Sequence, residues 1–577
     1  MKYCRETSLE EQIRIAAGEE PAGLVLKGGH VFNVFTREWE DVDVAISGNK
    51  VVGLGSYRGK EEIDVTGKYL TPGFIDAHVH LESSMLAPRE MVKILLLNGV
   101  TGVVADPHEI ANVMGAEGIR FFLKETEDMP FSVYMMLPSC VPATSMENAG
   151  AALSAADMAE LKDENDRVLG LGEMMDVPGV LFRTPEAMAK MALFCDRVID
   201  GHAPGLTGQS LNAYITAGVH TDHECVTAEE AREKLRRGMY VLLREGSAAH
   251  NLVDLLPVVN EDTCRRCCLC TDDRHADDLI SEGSINYLLE IGVTQGCPAE
   301  LLIPMASLNT AECYGLKDTG AIAPGYFADI NVFDSLAGFQ PVHVIKKGLP
   351  IVRNRQLQWE SVSVLEPVAS SMNMPEMTPE SFAFPGEAGR KMHVIGICRE
   401  QLLTEDLLLE PKVVNGQVVS DTENDILKMA VCERHHNTGN IGLGFVHGFN
   451  LKKGAVASTV AHDSHNLIVL GTNDEDMAVA ANRLRAVGGG LVIVADGEVR
   501  STVPLPIAGL MSDKEGAAVN AQLKQLHFWA AELGLPEDFN VFMTLSFLAL
   551  PVIPTLRLTD KGLVDVNRFQ LISPWAE

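Results

Sequence analysis

Apolar residues in this chain gather in short runs, and the spacing between runs divides it into regions. From Gly23 to Leu54 they read as strands, LVLKGGHVFNVF and then DVDVAISGNKVVGLG, with Gly and Asn at the turns. The pattern returns as YFADINVFD (Tyr326–Asp334) and VHVIKKGLPIVRN (Val342–Asn354). Two strand-rich stretches around a long insertion predict one small β domain built from both flanks, residues 1–68 with 319–365.

Inside the insertion, apolar runs alternate with helical stretches. The runs are YLTPGFIDAHVH, GVTGVVADPHE, FSVYMMLPS, VLGLGEMM, RVIDGHAP, AGVHTDHE, YVLLREGSAA and CCLCTDD. Continuous apolar runs of this kind suit a buried parallel sheet. The helices between them carry start and stop signals: Thr184 before Pro185, the T-x-x-E of Thr227 and Glu230, and Gly238 before the next run. Eight strand–helix units over 69–318 predict an α/β fold, a (β/α)₈ TIM-type barrel. Beyond it, EPVASSMNMPEMTPESFAFPGEAG reads as a connector over 366–390. A mixed α/β domain is expected over 391–577, with IVLG, a helix near Asp476–Val487 and LVIVADGEV among its elements.

Composition narrows the class. With 46% hydrophobic and 22% charged residues this is an ordinary globular chain, and no apolar run reaches the roughly 18 residues that a membrane span needs. Twelve irregularly spaced cysteines and a polar, acidic start, MKYCRETSLEEQIRIAAGEE, predict reduced thiols and a cytoplasmic location. A net charge of −32 argues against nucleic acid or anionic membrane as a partner.

The polar residues of the barrel region fall at the C-terminal ends of the strands, where barrel enzymes build their sites. His78 and His80 end the first as H-V-H, two apart and so on one side of the strand. Glu173 ends the fourth, His202 the fifth, His223 the sixth and Asp272 the eighth. Each alone has a plain structural reading: an H-x-H by chance, a satisfied core carboxylate, an Asp272-Asp273 pair capping a helix near Ala276. Together, four imidazoles and two carboxylates at one mouth predict a divalent-metal site with room for two ions sharing a carboxylate.

These residues resemble the amidohydrolase superfamily, whose fold is a (β/α)₈ barrel beside a small β-sandwich from both flanks. The resemblance rests on GFIDAHVH, the later histidines and aspartate, and GAIAPGYFADINVFD (Gly320–Asp334), and spans roughly Ala22 to Asn354. A narrower resemblance, to the adenine deaminase family, covers nearly the whole chain. It is carried by LTPGFIDAHVHLESS, ADPHEIANV, GLGEMM, GHAPGL, REGSAA, CTDDR and AHDSHNL. Several superfamily members carry a carbamylated lysine where this chain has Glu173, which fits the narrower family.

That resemblance implies hydrolysis of adenine to hypoxanthine and ammonia by a metal-bridged hydroxide, in purine salvage. It implies two divalent ions per chain, manganese or ferrous iron favoured over zinc, on His78, His80, Glu173, His202, His223 and Asp272. Two ions about 3.5–4 Å apart can drop the pKa of a shared water from about 16 toward 7. Asp272 is then the residue that moves the proton. His108 and Glu109, in D-P-H-E, are expected to be catalytic as ligand supports, a relay or ligands for a further ion. Their structural reading is an acidic helix start after Pro107.

Arg244, Ser247, Glu224, Asp463 and His465 are candidate substrate contacts, although Gly246 and its small neighbours also fit a plain turn. The last two belong to the H-D-x-H of His462–His465, whose plain reading is a surface cluster and whose functional reading is a loop closing the barrel mouth. A homodimer is expected. The rivals are another cyclic amidohydrolase or heterocycle deaminase, which a substrate panel would separate, and a non-catalytic purine or metal sensor, which would bind without turnover.

Two tempting signals are set aside. Cys264-Arg-Arg-Cys-Cys-Leu-Cys270 looks like a zinc knuckle but runs along the eighth strand, where alternate cysteines would be buried. Asn437–Gly444 is glycine-rich but matches neither nucleotide-binding pattern, and reads as a turn.

Overall fold

A computed structural model describes residues 7–360, 371–386, 389–399, 402–536 and 540–576. The eight predicted barrel strands are all present: β1 (Phe74–Val79), β2 (Val100–Ala105), β3 (Ser132–Leu137), β4 (Val168–Met174), β5 (Val198–Gly201), β6 (Thr221–Asp222), β7 (Tyr240–Arg244) and β8 (Cys267–Cys270). β1 to β5 pair in order, as do β6 to β8, all in parallel. The His220 amide donates to Ile199 O across β5 and β6 at 2.9 Å, and the Asp272 amide to His78 O across β8 and β1 at 3.0 Å, which closes the ring.

The first apolar run is two strands rather than one. Tyr69–Pro72 pairs antiparallel with Ile330–Phe333, and the chain crosses into the barrel only at Phe74. Gly73 marks the crossing because a Cβ there would lie 2.5 Å from the Thr101 side chain. The flanking strands form one hydrogen-bonded sheet of nine, whose arms enclose Leu24, Leu26, Val44, Ile46, Ile330 and Val332.

β8 alternates as expected of a barrel strand. Cys268 and Cys270 pack inward with Ala77, Val104, Met136 and Leu242, while Cys267 and Leu269 face the larger surrounding core. Of the capping signals, Thr227 accepts the Glu230 amide, whereas Thr184 precedes its helix without a side-chain bond. The Glu230 carboxylate turns to the Gly205 amide and Lys234.

The C-terminal domain is mixed α/β. Its eight-stranded sheet runs, in spatial order, Thr404–Leu409, Met392–Ile397, Ile441–His447, Ile426–Cys432, Leu467–Gly471, Ala455–Ser458, Gly490–Ala495 and Glu498–Pro504. The helix Asp474–Val487 packs on it, held at its start by the Asn473 side chain and ended by Gly488 at φ 86°. Asn437–Asn440 lies in the irregular loop between two antiparallel strands, and Ile441 already begins the second.

The connector also differs from its expectation. Residues 366–370, 387 and 388 lie outside the described residues. The part from Ser371 to Gly386 is not a loose linker: Met372, Met374, Met377 and Phe382 are buried against that helix, and Met377 exchanges two hydrogen bonds with Asn482. Its methionines are anchors, which composition alone did not separate from spacer residues.

The domain sits on the barrel loops after β3. His436 Nε2 lies 2.8 Å from Ala149 O, Asn148 donates to Asp560, and Asn466 donates to Asn148 O. That contact brings residues more than 300 positions apart into one site.

Candidate metal centre at the barrel mouth

Each ligand-capable side chain leaves the C-terminal end of its strand and meets the others on the axis. His78 and His80 face each other with Nε2 atoms 3.2 Å apart. Glu173 Oε1 lies 2.9 Å from His78 Nε2 and 3.0 Å from His80 Nε2, and Asp272 Oδ1 lies 3.0 Å from His80 Nε2. On the other side of the same carboxylate, Glu173 Oε2 is 2.9 Å from His202 Nδ1 and 3.7 Å from His223 Nε2. Three groups of possible donors include Glu173: His78, His80 and Asp272 gather at its Oε1, His202 and His223 at its Oε2, and Asp106 with His108 makes the third.

Neighbouring groups also hold these side chains in place. Asp106 turns its backbone carbonyl to His80 Nδ1 at 2.9 Å, which leaves Nε2 free to face the centre. Asp106 Oδ2 accepts the Glu173 amide at 2.9 Å, and Gly172 makes room: a Cβ there would lie 2.1 Å from that oxygen. Asp272 adopts a left-handed φ of 56°, tolerable for aspartate, which redirects the chain where β8 ends. Arg244 donates to Asp272 Oδ2 at 2.8 Å and is held in turn by Glu224 and Asn251.

Burial and charge oppose each other here. Burial pulls the His78 imidazolium down, but Glu173 and Asp272 outweigh it and lift its pKa to about 10. Burial likewise works against the Asp272 carboxylate, yet Arg244, His78 and His80 hold it well below the usual range. Glu173 is kept ionised against burial by His223 and His78.

The donor set fits divalent cations. Glu173 Oε1 is buried without a hydrogen-bond partner, as are His108 Nδ1 and Asp106 Oδ1 beside it. Buried polar atoms are rarely left so, and a cluster of imidazole and carboxylate atoms with an orphan oxygen at its middle has the chemistry of a metal-binding cavity.

Most other predicted residues reach the same cavity. His108 and Glu109 line it, with His108 Nε2 3.2 Å from Glu109 Oε1 and 3.8 Å from Asp463 Oδ1. Glu224, Arg244 and Asp463 line it too, and burial lifts the Asp463 carboxyl to about 6. The H-D-x-H segment is therefore no surface cluster.

Two residues are placed otherwise. Ser247 does not line the cavity: its hydroxyl donates to Asp278 and accepts the His275 amide, so it shapes the turn after β7. His465 lies behind the cavity wall, bonded to Glu109. The apolar lining was missed altogether. Leu402, Phe547, Leu550 and Ile553 come from the C-terminal domain and cluster with Ala248 of the barrel. The run VFMTLSFLALPVIP was visible, but nothing local says that it covers a site.

Comparison with known proteins matches this architecture. Residues 69–351 match the model of the amidohydrolase family, and 401–570 that of the adenine deaminase C-terminal domain. Adenine deaminase 2 of Carboxydothermus hydrogenoformans is 50% identical over 98% of this chain and 99% of its own length. The adenine deaminase of Bacillus pumilus is 47% identical over 97% and 98%, and that of Geobacillus kaustophilus 46% over 98% and 99%. Identity of 46–50% over nearly the full length, with a barrel mouth of ligand-capable side chains covered by that C-terminal domain, places the chain in the adenine deaminase family of amidohydrolases.

Proposed function

We propose that this protein hydrolyses adenine to hypoxanthine and ammonia, as an enzyme of purine salvage. The observation that carries the reading is the pair of donor groups sharing Glu173, enclosed by the domain that characterises adenine deaminases. His78, His80 and Asp272 on one oxygen of Glu173, and His202 and His223 on the other, would hold two divalent ions. The mixed nitrogen and oxygen donors suit manganese or ferrous iron, and zinc also. Such ions supply a water acidic enough to act as nucleophile at neutral pH and stabilise charge developing on the substrate.

The remaining work belongs to the side chains. Arg244 occupies Asp272 Oδ2 and leaves Oδ1 facing His80, so one carboxylate oxygen is positioned to accept a proton from the attacking water. Leu402, Phe547, Leu550 and Ile553 provide an apolar wall for a flat base and exclude bulk water. His108 and Glu109 line the cavity beside Asp463, His108 to take part in proton transfer and Glu109 to hold the imidazoles around it. The protein is taken to act as a cytoplasmic homodimer, which sedimentation and cell fractionation test. No helix among the described residues is long and apolar enough to cross a membrane.

The test is release of ammonia and hypoxanthine from adenine by protein reconstituted with Mn²⁺, beside Asp272→Asn. Turnover that is lost in the variant is expected. No release by the fully metallated protein would overturn the substrate assignment.

A further inference from the structure

Glu109 is a buried carboxylate on the barrel side, and both of its oxygens are met by imidazoles of the C-terminal domain. Oε1 lies 2.5 Å from His462 Nδ1, and Oε2 is bonded by His465 Nε2. Three such residues invite a third metal ion. The tautomer of His465 argues otherwise. Its Nδ1 accepts the Ala461 amide at 3.1 Å, so in the neutral ring Nε2 carries the proton and donates to Glu109, with no lone pair for a cation. Burial keeps that ring neutral, with a pKa pushed down to about 4. The trio is a hydrogen-bonded clamp.

His462 differs from His465 at its far nitrogen. Its Nε2 is buried without a partner, and the ring lines the metal-centre cavity. The ring is stacked on Phe547, centroids 4.4 Å apart and planes 18° apart, which fixes it with Nδ1 on Glu109. A buried imidazole held by a carboxylate at one nitrogen and unbonded at the other is built as a proton donor or acceptor.

Resting on the deaminase reading above, we infer that His462 is a catalytic residue, the general acid that gives its Nε2 proton to the departing amine, with Glu109 and His465 as positioning residues. The proton count closes. Water adds its oxygen to C6, passing one proton to Asp272 as the ring double-bond electron pair moves onto N1. The C6–N bond then breaks, the amine takes the Nε2 proton of His462 and leaves as ammonia, and the electron pair returns from N1. The remaining hydroxyl proton shifts to N1 to give hypoxanthine, and the proton on Asp272 restores His462. Glu109 stabilises the charged imidazole: against the pull of burial it lifts the His462 pKa to about 9.

The experiment compares the full-length, metal-loaded protein with His462→Gln on adenine and on 6-chloropurine, whose chloride leaves without a proton. On adenine, kcat is expected to fall about 10²–10³-fold with little change in KM. On 6-chloropurine the two should agree within about threefold, a small fraction of a general-acid effect. Equal losses on both substrates would overturn the role. A ¹⁵N isotope effect at the exocyclic amine reads the same step from adenine alone: it should grow in the variant as C–N cleavage becomes slow, and an unchanged value would also overturn it. Metal content should match the unaltered protein, since loss of an equivalent would make His462 a ligand. Failure of the unaltered protein to release ammonia would instead strike the deaminase reading itself.

Discussion

Two clusters of buried charge sit on the same barrel, and they are built to opposite rules. In the first, Lys234 donates to Ala203 O at 2.8 Å, to Asp222 at 2.9 Å and to Glu230 at 2.7 Å, which uses all three of its protons. Asp222 and Glu230 spend their other lone pairs on backbone amides of Ala203, Glu224, Gly205 and Val226. In the second, around Glu173, the groups are as deeply buried, yet Glu173 Oε1, His108 Nδ1, Asp106 Oδ1, Asp463 Oδ2 and His462 Nε2 have no hydrogen-bond partner. Burial and charge are common to both. What separates the two is whether hydrogen-bonding capacity is used up, as in a cluster that holds the fold, or left open, as a cluster proposed to do chemistry needs.

The sharpest way to break that comparison is to neutralise one carboxylate in the second cluster. Glu173→Gln should lower kcat roughly 10³-fold or more, because a carboxylate offered to both donor groups is lost. The same variant, stripped of metal with a chelator, should lose no more than about 1 kcal/mol against unaltered apoprotein, the contact of Oε2 with His202 Nδ1, since Oε1 makes no hydrogen bond there. A large drop in the apoprotein's melting temperature would mean that the orphan oxygen is structural after all.

The mirror experiment is Lys234→Met. Removing the cation leaves Asp222 and Glu230 buried and uncompensated, a loss of about 3–5 kcal/mol. Urea unfolding should show it, while kcat of the protein that remains folded stays within about threefold, well under a tenfold barrier change. An intact melting profile with lost activity would reverse the assignment of the two clusters.

Ser247→Ala tests the boundary between them with the smallest effect. Its hydroxyl bonds belong to the turn after β7, so stability should fall by about 1 kcal/mol. The specificity constant for adenine should change less than about twofold, a few tenths of a kcal/mol in barrier. A tenfold rise in KM would return Ser247 to the substrate pocket.

How much of this was legible beforehand follows from the range of the interactions. The ends of β1, β4, β5, β6 and β8 could be found because apolar runs locate parallel strands and the fold rule puts polar work at their C-terminal ends. The direction of Ser247 could not, because a serine in a turn reads alike whether it bonds Asp278 or a substrate. The split at Gly73 was hidden in an unbroken apolar run, since two sheets that both bury their strands leave the same pattern.

By itself the sequence determined the order of elements, the barrel and the identity of the groups at its mouth, because periodicity and strand-end chemistry are local properties. Only the tertiary structure decided that Glu109 meets His462 and His465 across more than 350 residues, that Phe547 stacks on one of them, and that the methionines after Ser371 are anchors. Those contacts arise from one domain docking on another, and the shape of a docked surface is not written in the spacing of residues on either side of it.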